Sequence, residues 1–240
     1  KICPDIDSEN EILHFKNEKD LLIGWRDFML KIDPDIIIGY NTLSFDDKYL
    51  ADRANKRLCL TKFLTMGKLT DIKSKFITTT WSSSAYGDQH FGYIDIPGRL
   101  HIDMYPVISR DFGNLASYTL GYVSKHFLKD TKVDLPAKEM IQKWHVGTPN
   151  DIRDIVTYCK KDTILPFLLM KKFNTWLGLS EMANVVMVPI FDIITRGQQI
   201  RVFSQVYCLA FDLGVVCTDK WADYQPTDDE KIFAGATVQN

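Results

Sequence analysis

Several features that mark other classes of protein are missing from this 240-residue sequence. It has no run of about 18 apolar residues, the length that a membrane-spanning helix requires, so no membrane role is indicated. Its five cysteines are scattered and lack the cysteine and histidine spacings of zinc sites, and we expect them to be reduced. It also lacks a basic excess, because its formal net charge is −2. Charge alone therefore neither indicates nor excludes a nucleic-acid binder, since carboxylates gathered around metal ions would offset lysines elsewhere.

The N-terminal sequence lacks both the apolar segment of a signal peptide and an initiator methionine. We therefore expect the chain to be a piece of a longer protein. Its composition, 45% hydrophobic and 25% charged, is that of a folded globular protein, and its length suits one large domain or one and a half.

The first part of the chain alternates strand and helix patterns. In order, the strand, helix, strand and helix patterns cover residues 11–15, 18–32, 35–40 and 44–57. The second strand pattern is short, β-branched and continuously apolar, which is typical of a strand covered on both faces. The second helix pattern starts with Ser44 as the predicted N-cap and Asp47 as its capping-box partner. This order predicts an α/β fold.

The later part of the chain is predicted to be mostly helical. Residues 61–90, rich in threonine, serine and lysine, predict a loop or an irregular hairpin, and residues 92–105 resume strand character around a Pro-Gly turn. The two longest helical patterns beyond residue 103 are residues 149–177, closed by Gly178, and residues 193–213, closed by Gly214.

Two aspartates follow predicted strands directly. Asp46 lies where a strand gives way to a helix, and from there a side chain can point into the crevice at the strand's carboxyl end. It could be a metal ligand, or an ordinary acid that favours the positive end of a helix dipole. Asp103 is a second such acid, and its pattern fits equally the cap of the next helix or a role in a site.

Tyr158 and Asp162 are a further pair, in the middle of the first long helix. Their spacing of four residues places them on one helix face, where the carboxylate could hold a metal ion while the phenol orients a water molecule. The same spacing also arises by chance in any long helix, so this pair alone assigns no function.

Two longer segments resemble motifs of one family. "DPDIIIGYNTLSFDDKYL" resembles the second exonuclease motif of family B DNA polymerases, which consists of an Asn, three intervening residues and then Phe-Asp. "YCKKDTILPFLLMKKF" resembles the third. Between them, "IPGRLHIDMYPVISRD" and "LASYTLGYVSKHFL" are similar to the connecting segments. Further on, "ITRGQQIRVFSQVYCLA" and "FAGATV" are similar to the helix toward the polymerase body and to a short element just before the palm. The resemblance runs from about residue 11 to the last residue.

The resemblance implies an RNase H-like exonuclease fold of the DEDDy type and a 3′–5′ proofreading activity on DNA. It implies that Asp46 and Asp162 are carboxylate ligands of two Mg²⁺ or Mn²⁺ ions and that Tyr158 positions the attacking water. Phe45 and Asn41 would contact the terminal nucleotides of the primer strand, the Phe by stacking on a base.

This sequence departs from the family pattern at the first exonuclease motif, which is Asp-x-Glu. Asp7-Ser8-Glu9 has its spelling, but only eight residues separate Glu9 from the helix pattern at Glu18, which leaves room for one strand, and no apolar run precedes Asp7. We therefore expect the domain to be incomplete at its N-terminus, with its first strands and first acidic motif missing. We predict this exonuclease domain over residues 1–178 and, over residues 179–240, helices leading toward a polymerase palm. No segment resembles the palm motifs themselves.

The expected partners are the DNA primer 3′ end, single-stranded DNA and the rest of a polymerase chain, with no membrane and no identifiable processivity factor. The expected location is intracellular, either the nucleus or the replication site of a large DNA virus. Two alternatives remain open. One is an exonuclease-like module that binds nucleic acid without cleaving it, and the other is a free-standing exonuclease of the DEDDy type.

Overall fold

A computed structural model of the chain describes residues 12–83, 87–130 and 135–217, with side chains described throughout except at 81–83 and 87–89. Within these ranges the chain forms four strands and ten helices. In chain order they are α1 (Glu18–Ile32), β1 (Ile36–Gly39), α2 (Asp46–Lys56), α3 (Leu60–Phe63), β2 (Lys75–Ser83), β3 (Gly87–Asp95), β4 (Leu100–Asp103), α4 (Met104–Asp111), α5 (Leu120–Leu128), α6 (Ala137–Val146), α7 (Pro149–Lys172), α8 (Thr175–Val186), α9 (Ile190–Thr195) and α10 (Gln199–Asp212). The predicted α/β class is confirmed. None of the helices in the described ranges has the length and hydropathy needed to cross a bilayer.

The strands form two pairs. β1 and β4 are parallel and run in register from Ile36 opposite Leu100 to Gly39 opposite Asp103. β2 and β3 form an antiparallel hairpin, so the hairpin alternative for residues 61–90 is confirmed for its second half. Since β1 and β4 are parallel, both reach their carboxyl ends at the same edge, and the loops that follow them meet there.

The side chains of β1 pack on both sides of its sheet, as the continuous apolar pattern predicted. Ile36 and Ile38 contact a large cluster formed with α4, α5 and α7–α9, whereas Ile37 contacts a second cluster formed with α1–α3 and β3. Alternate residues of a strand point to opposite faces, so one short strand joins both clusters. The sheet edge that carries the loops is thereby held between two packed layers.

The strand predicted for residues 11–15 is wrong where the structure describes it. Residues 12–15 belong to no strand, and residue 11 lies outside the described ranges. The ring of Phe15 lies instead against Gly24 of α1, where a Cβ would collide with it. Alternating side chains fit a strand only where a neighbouring strand supplies hydrogen bonds, and among the described residues none pairs with this segment.

Both long helix predictions need correction at internal breaks. The first helix begins at Pro149 as predicted, but it ends at Lys172 because Asn174 adopts a left-handed backbone with φ of 50°. Asparagine tolerates that conformation better than most residues, and Gly178 therefore lies inside α8 rather than at a helix end. The second prediction is divided into α9 and α10 by a break at residues 196–198, where Arg196 is extended. The stop at Gly214, which has φ of 65°, is confirmed.

Candidate active site at the carboxyl edge of the parallel strands

The loop after β1 folds back tightly before α2 begins. Asn41 has a left-handed backbone with φ of 62°, a conformation that asparagine adopts more readily than most residues. The side chain of Thr42 lies so close to Gly39 that a Cβ at Gly39 would collide with it. The glycine and the asparagine together allow the sharp reversal that brings residues 43–46 to the sheet edge.

Asp103, at the end of β4, accepts three backbone hydrogen bonds, two of them from this loop. The N–H groups of Asn41 and Tyr105 donate to its Oδ1 at 2.7 and 2.9 Å, and the N–H of Leu43 donates to its Oδ2 at 3.0 Å. The side chain is only 1% exposed, and this burial raises the pKa of its carboxyl while the three donors partly oppose that shift. The cap alternative for Asp103 is confirmed, since it is the N-cap of α4. Through its other two bonds Asp103 also fixes the loop that precedes Asp46.

Asp46 is the first residue of α2 and is exposed to solvent. The pKa of its carboxyl is raised, first because surrounding protein removes part of its hydration and then because the carboxylates of Asp47 and Asp103 lie near it. His101 partly opposes this shift. A carboxylate with acidic neighbours and open access to solvent is an oxygen ligand suited to a hard divalent cation, which would relieve the repulsion.

The predicted capping box of α2 is wrong. The helix begins at Asp46 rather than at residue 44, its N-cap is Phe45, and no side chain caps it. Ser44 donates its hydroxyl to the carbonyl of His90, at 3.4 Å. Asp47, expected to be the capping acid, is buried and turns away from the helix end, because its Oδ2 accepts a hydrogen bond from the Ile94 N–H of β3 at 3.0 Å.

Asp47 also contacts a buried histidine that sequence reasoning missed. Its Oδ2 lies 3.3 Å from Nδ1 of His101 on β4, and Nε2 of the same ring lies 3.0 Å from Oγ1 of Thr42. His101 is more than 50 positions from both Asp47 and Thr42 in the sequence, and no local pattern links it to them. Only the alternation of β4, which places His101 and Asp103 on one face of the strand, could have suggested that His101 lies near the loop.

Phe45 and Asn41, the proposed contacts for nucleotides, both belong to this loop. The ring of Phe45 is 64% exposed and lies parallel to Tyr49, with ring centroids 6.4 Å apart and an interplanar angle of 4°. Asn41 is half-buried at the start of the loop. An exposed aromatic ring beside an acid at a sheet edge presents a flat apolar surface to solvent.

Tyr158 and Asp162 lie one turn apart on α7, and both are half-buried. α7 begins at Pro149 with a capping box between Thr148 and Asp151, and it packs against β1. The structure thus brings Asp46, Asp47, Asp103 and His101 together at the sheet edge, while α7, which carries Tyr158 and Asp162, packs against β1. In the described parts of the chain no three His, Cys, Asp or Glu side chains are grouped closely enough to hold a metal ion. Asp7 and Glu9 lie outside those parts.

Comparison with known proteins identifies the family. Residues 3–123 match the family described as DNA polymerase family B, exonuclease domain. The chain belongs to this family. It is 41% identical over 238 residues to the DNA polymerase delta catalytic subunit of Dictyostelium discoideum, covering 99% of this chain and 21% of that protein. It is also 40% identical over 208 residues to DNA polymerase 120R of Invertebrate iridescent virus 3, covering 83% of this chain and 18% of the viral protein.

These matches confirm the resemblance. At the N-terminal side they begin before residue 11, where the resemblance was placed from the sequence. The family match starts at residue 3 and ends at residue 123, whereas the similarity to the Dictyostelium discoideum protein continues through α7 and therefore includes Tyr158 and Asp162. The chain spans about a fifth of the length of the curated relatives that it matches. The segment "FAGATV" lies outside the described residues.

Proposed function

We propose that this chain supplies most of the 3′–5′ proofreading exonuclease domain of a family B DNA polymerase. In this proposal the domain has an RNase H-like fold of the DEDDy type over residues 1–178, and residues 179–240 form the helical connection toward the palm. Its substrates are the primer 3′ end and single-stranded DNA, and its location is the nucleus or a viral replication site. The observation that carries the proposal is the position of Asp46, which is exposed at the carboxyl end of a parallel strand in a chain of this family.

Asp46 and Asp162 are the residues that would hold two Mg²⁺ or Mn²⁺ ions, and oxygen ligands of this kind are those that such ions prefer. Bound ions of this type supply a more acidic water and a clamp on the scissile phosphate. Asp46 fits this role because it is exposed and lies among other acids, whereas Asp103 and Asp47 are occupied by backbone N–H groups. A pair of carboxylates is an incomplete set for two ions. We therefore expect the 240-residue chain alone to bind metal weakly and to cut DNA slowly or not at all.

The remaining residues act on the DNA and the water. The Tyr158 hydroxyl, one helical turn from Asp162, orients the attacking water by accepting or donating a hydrogen bond. The exposed ring of Phe45 stacks on a base at the primer end, and the Asn41 side chain contacts the adjacent nucleotide. Phosphodiester hydrolysis then needs no covalent intermediate on the protein, because the water is the nucleophile.

The test compares single substitutions in the complete polymerase chain, with a 5′-labelled primer whose 3′ nucleotide is mismatched. Asp46→Ala should lower the rate of mismatch removal by roughly 10²-fold or more, because it removes a metal ligand, while primer extension is retained. Tyr158→Phe should lower the same rate and leave DNA affinity unchanged, since it removes only the hydroxyl. Asp52→Ala is the matched control, because Asp52 is an exposed aspartate on the same helix. A wild-type rate of mismatch removal in Asp46→Ala would refute the proposed function.

The isolated chain provides a second test. If it degraded single-stranded DNA at a rate comparable to that of the complete polymerase, and Asp46→Ala abolished that activity, the domain would be complete in these 240 residues and our expectation of missing carboxylates would be wrong.

A further inference from the structure

We propose that Asp47 is a positioning residue for Asp46 and acts with His101, which rests on the proposed function of Asp46 as a metal ligand. Asp47 does not touch DNA or metal in this proposal. It fixes the first turn of α2 against β3 and β4, and so sets the direction in which the neighbouring carboxylate points into the site.

The contacts of Asp47 reach two different strands. Its Oδ2 accepts the Ile94 N–H of β3 at 3.0 Å and lies 3.3 Å from Nδ1 of His101 on β4. Asp47 is 9% exposed and His101 is 7% exposed, so both groups are withdrawn from water and the contacts are not diluted by solvent. A carboxylate at the start of a helix is ordinarily exposed, and this one is instead part of the packing between α2 and two strands.

Asp47 and His101 also fix the loop that precedes Asp46, because both contact Thr42. The Asp47 N–H donates to the carbonyl of Thr42 at 3.1 Å, and Nε2 of His101 lies 3.0 Å from the Thr42 hydroxyl. The loop is also tied to β3 at its middle, because the Gly92 N–H donates to the carbonyl of Leu43 at 2.7 Å. Residues on both sides of Asp46 in the chain are therefore fixed to the β structure.

Asp46 depends on this arrangement because its own side chain is exposed. An exposed carboxylate is directed by its backbone, and the backbone of α2 at this point has no side-chain cap. Loss of the Asp47 contacts would let the first turn of α2 shift, and small displacements of a metal ligand reduce turnover more than they reduce DNA binding.

The experiment measures mismatch removal by the complete polymerase with Asp47→Ala, Asp47→Asn, His101→Gln and the control Asp52→Ala. Asp47→Ala should lower kcat by about 10–100-fold with little change in KM, the size of effect seen when a group behind a metal ligand is removed. Asp47→Asn should recover most of that loss, because its amide oxygen can still accept the Ile94 N–H. Asp52→Ala should match the wild type in both constants.

Two readouts without metal show whether the packing has changed. In EDTA, the affinity for a single-stranded oligonucleotide should be unchanged in Asp47→Ala, as measured by fluorescence anisotropy. Hydrogen exchange measured by mass spectrometry should be faster in the peptide that contains Ile94 than in the wild type. Faster exchange at Ile94 together with an unchanged kcat would overturn the proposal, because the contact would then be broken without consequence for Asp46.

The outcomes also separate this inference from the function on which it rests. If Asp46→Ala abolishes mismatch removal but Asp47→Ala does not lower kcat, only the positioning role is wrong. If Asp46→Ala retains mismatch removal, the proposed function is refuted, and the positioning role that rests on it is refuted with it. If Asp47→Ala does not fold, His101→Gln decides, and a kcat within about twofold of the wild type would overturn the proposal.

Discussion

Replacing Asp103 by asparagine tests how the loop before Asp46 is held. The substitution keeps the shape of the side chain but puts an NH₂ group in place of one carboxylate oxygen. If Oδ1 is kept, Asn41 and Tyr105 retain their acceptor, and the Leu43 N–H, now 3.0 Å from a nitrogen, loses its own. Leu43 is fully buried, so no water replaces the lost partner.

The expected cost follows from that one lost bond. A hydrogen bond to a charged group contributes about 1.5–3 kcal/mol, and a buried donor left without an acceptor costs about 1–3 kcal/mol. We therefore expect Asp103→Asn to lower the free energy of unfolding by about 1.5–3 kcal/mol, and Asp103→Ala, which removes all three acceptor contacts, to lower it further.

The assay is equilibrium unfolding of the chain in urea, followed by circular dichroism at neutral pH. The control is Asp111→Asn, an aspartate at the other end of α4 whose side chain is 55% exposed, for which a change below about 0.5 kcal/mol is expected. If Asp103→Asn were as mild as this control, the hydrogen bond from Leu43 would not be what holds the loop, and the proposed part of Asp103 in shaping the site would be refuted.

Two further substitutions test separate contacts. The guanidinium groups of Arg53 and Arg57 bind the Glu18 carboxylate and lower its pKa from 4.5 to about 2. This ion pair between α1 and the end of α2 therefore stabilises the fold above pH 4.5, and the stabilisation is lost as the pH falls toward 2. The melting temperature of Glu18→Gln should therefore lie below that of the wild type at pH 6 and approach it near pH 2.5, and an equal difference at both pH values would contradict this. Phe45→Ala should weaken binding of a single-stranded oligonucleotide by about 1–3 kcal/mol, whereas Tyr49→Ala, which removes only the neighbouring ring, should weaken it less. Anisotropy in EDTA measures both, and equal effects would mean that Phe45 does not meet the base directly.

The parts of the fold that could be predicted from the sequence are those with local causes. The helix over Glu18–Ile32 and the strand Ile36–Gly39 follow from the spacing of apolar residues, and the stop at Gly214 follows from the ease with which glycine adopts a left-handed backbone. The breaks at Asn174 and after Arg196 were missed because the apolar pattern continues across them. Periodicity reports which side chains face the core, and a helix can stop and restart without changing that.

In the candidate site, too, only the features with a local signal in the sequence could be predicted. Asp46 could be proposed from its place after a strand, and Tyr158 with Asp162 from the resemblance to a known motif. The contact between Asp47 and His101 could not be proposed, because it joins residues that are 54 positions apart (101 − 47). A capping box is a local pattern, and the sequence of Ser44 to Asp47 satisfies it, but the buried N–H of Ile94 offers Asp47 a partner that no local pattern contains.

The start of α2 bears on the proposed role of that contact. With Ser44 as the N-cap, Asp46 would have been the second residue of the helix, whereas with Phe45 as the N-cap it is the first. An earlier start would require a helical backbone at Phe45, whose φ of −130° lies outside the helical region, and it would therefore rearrange the turn that leads into Asp46. The serine that could have set the earlier start bonds to His90 instead, and Asp47 is drawn into the strands. In our proposal these contacts of Ser44 and Asp47 direct Asp46, and we expect a variant that restored the local cap by freeing Asp47 to gain a helix cap while misdirecting the proposed metal ligand.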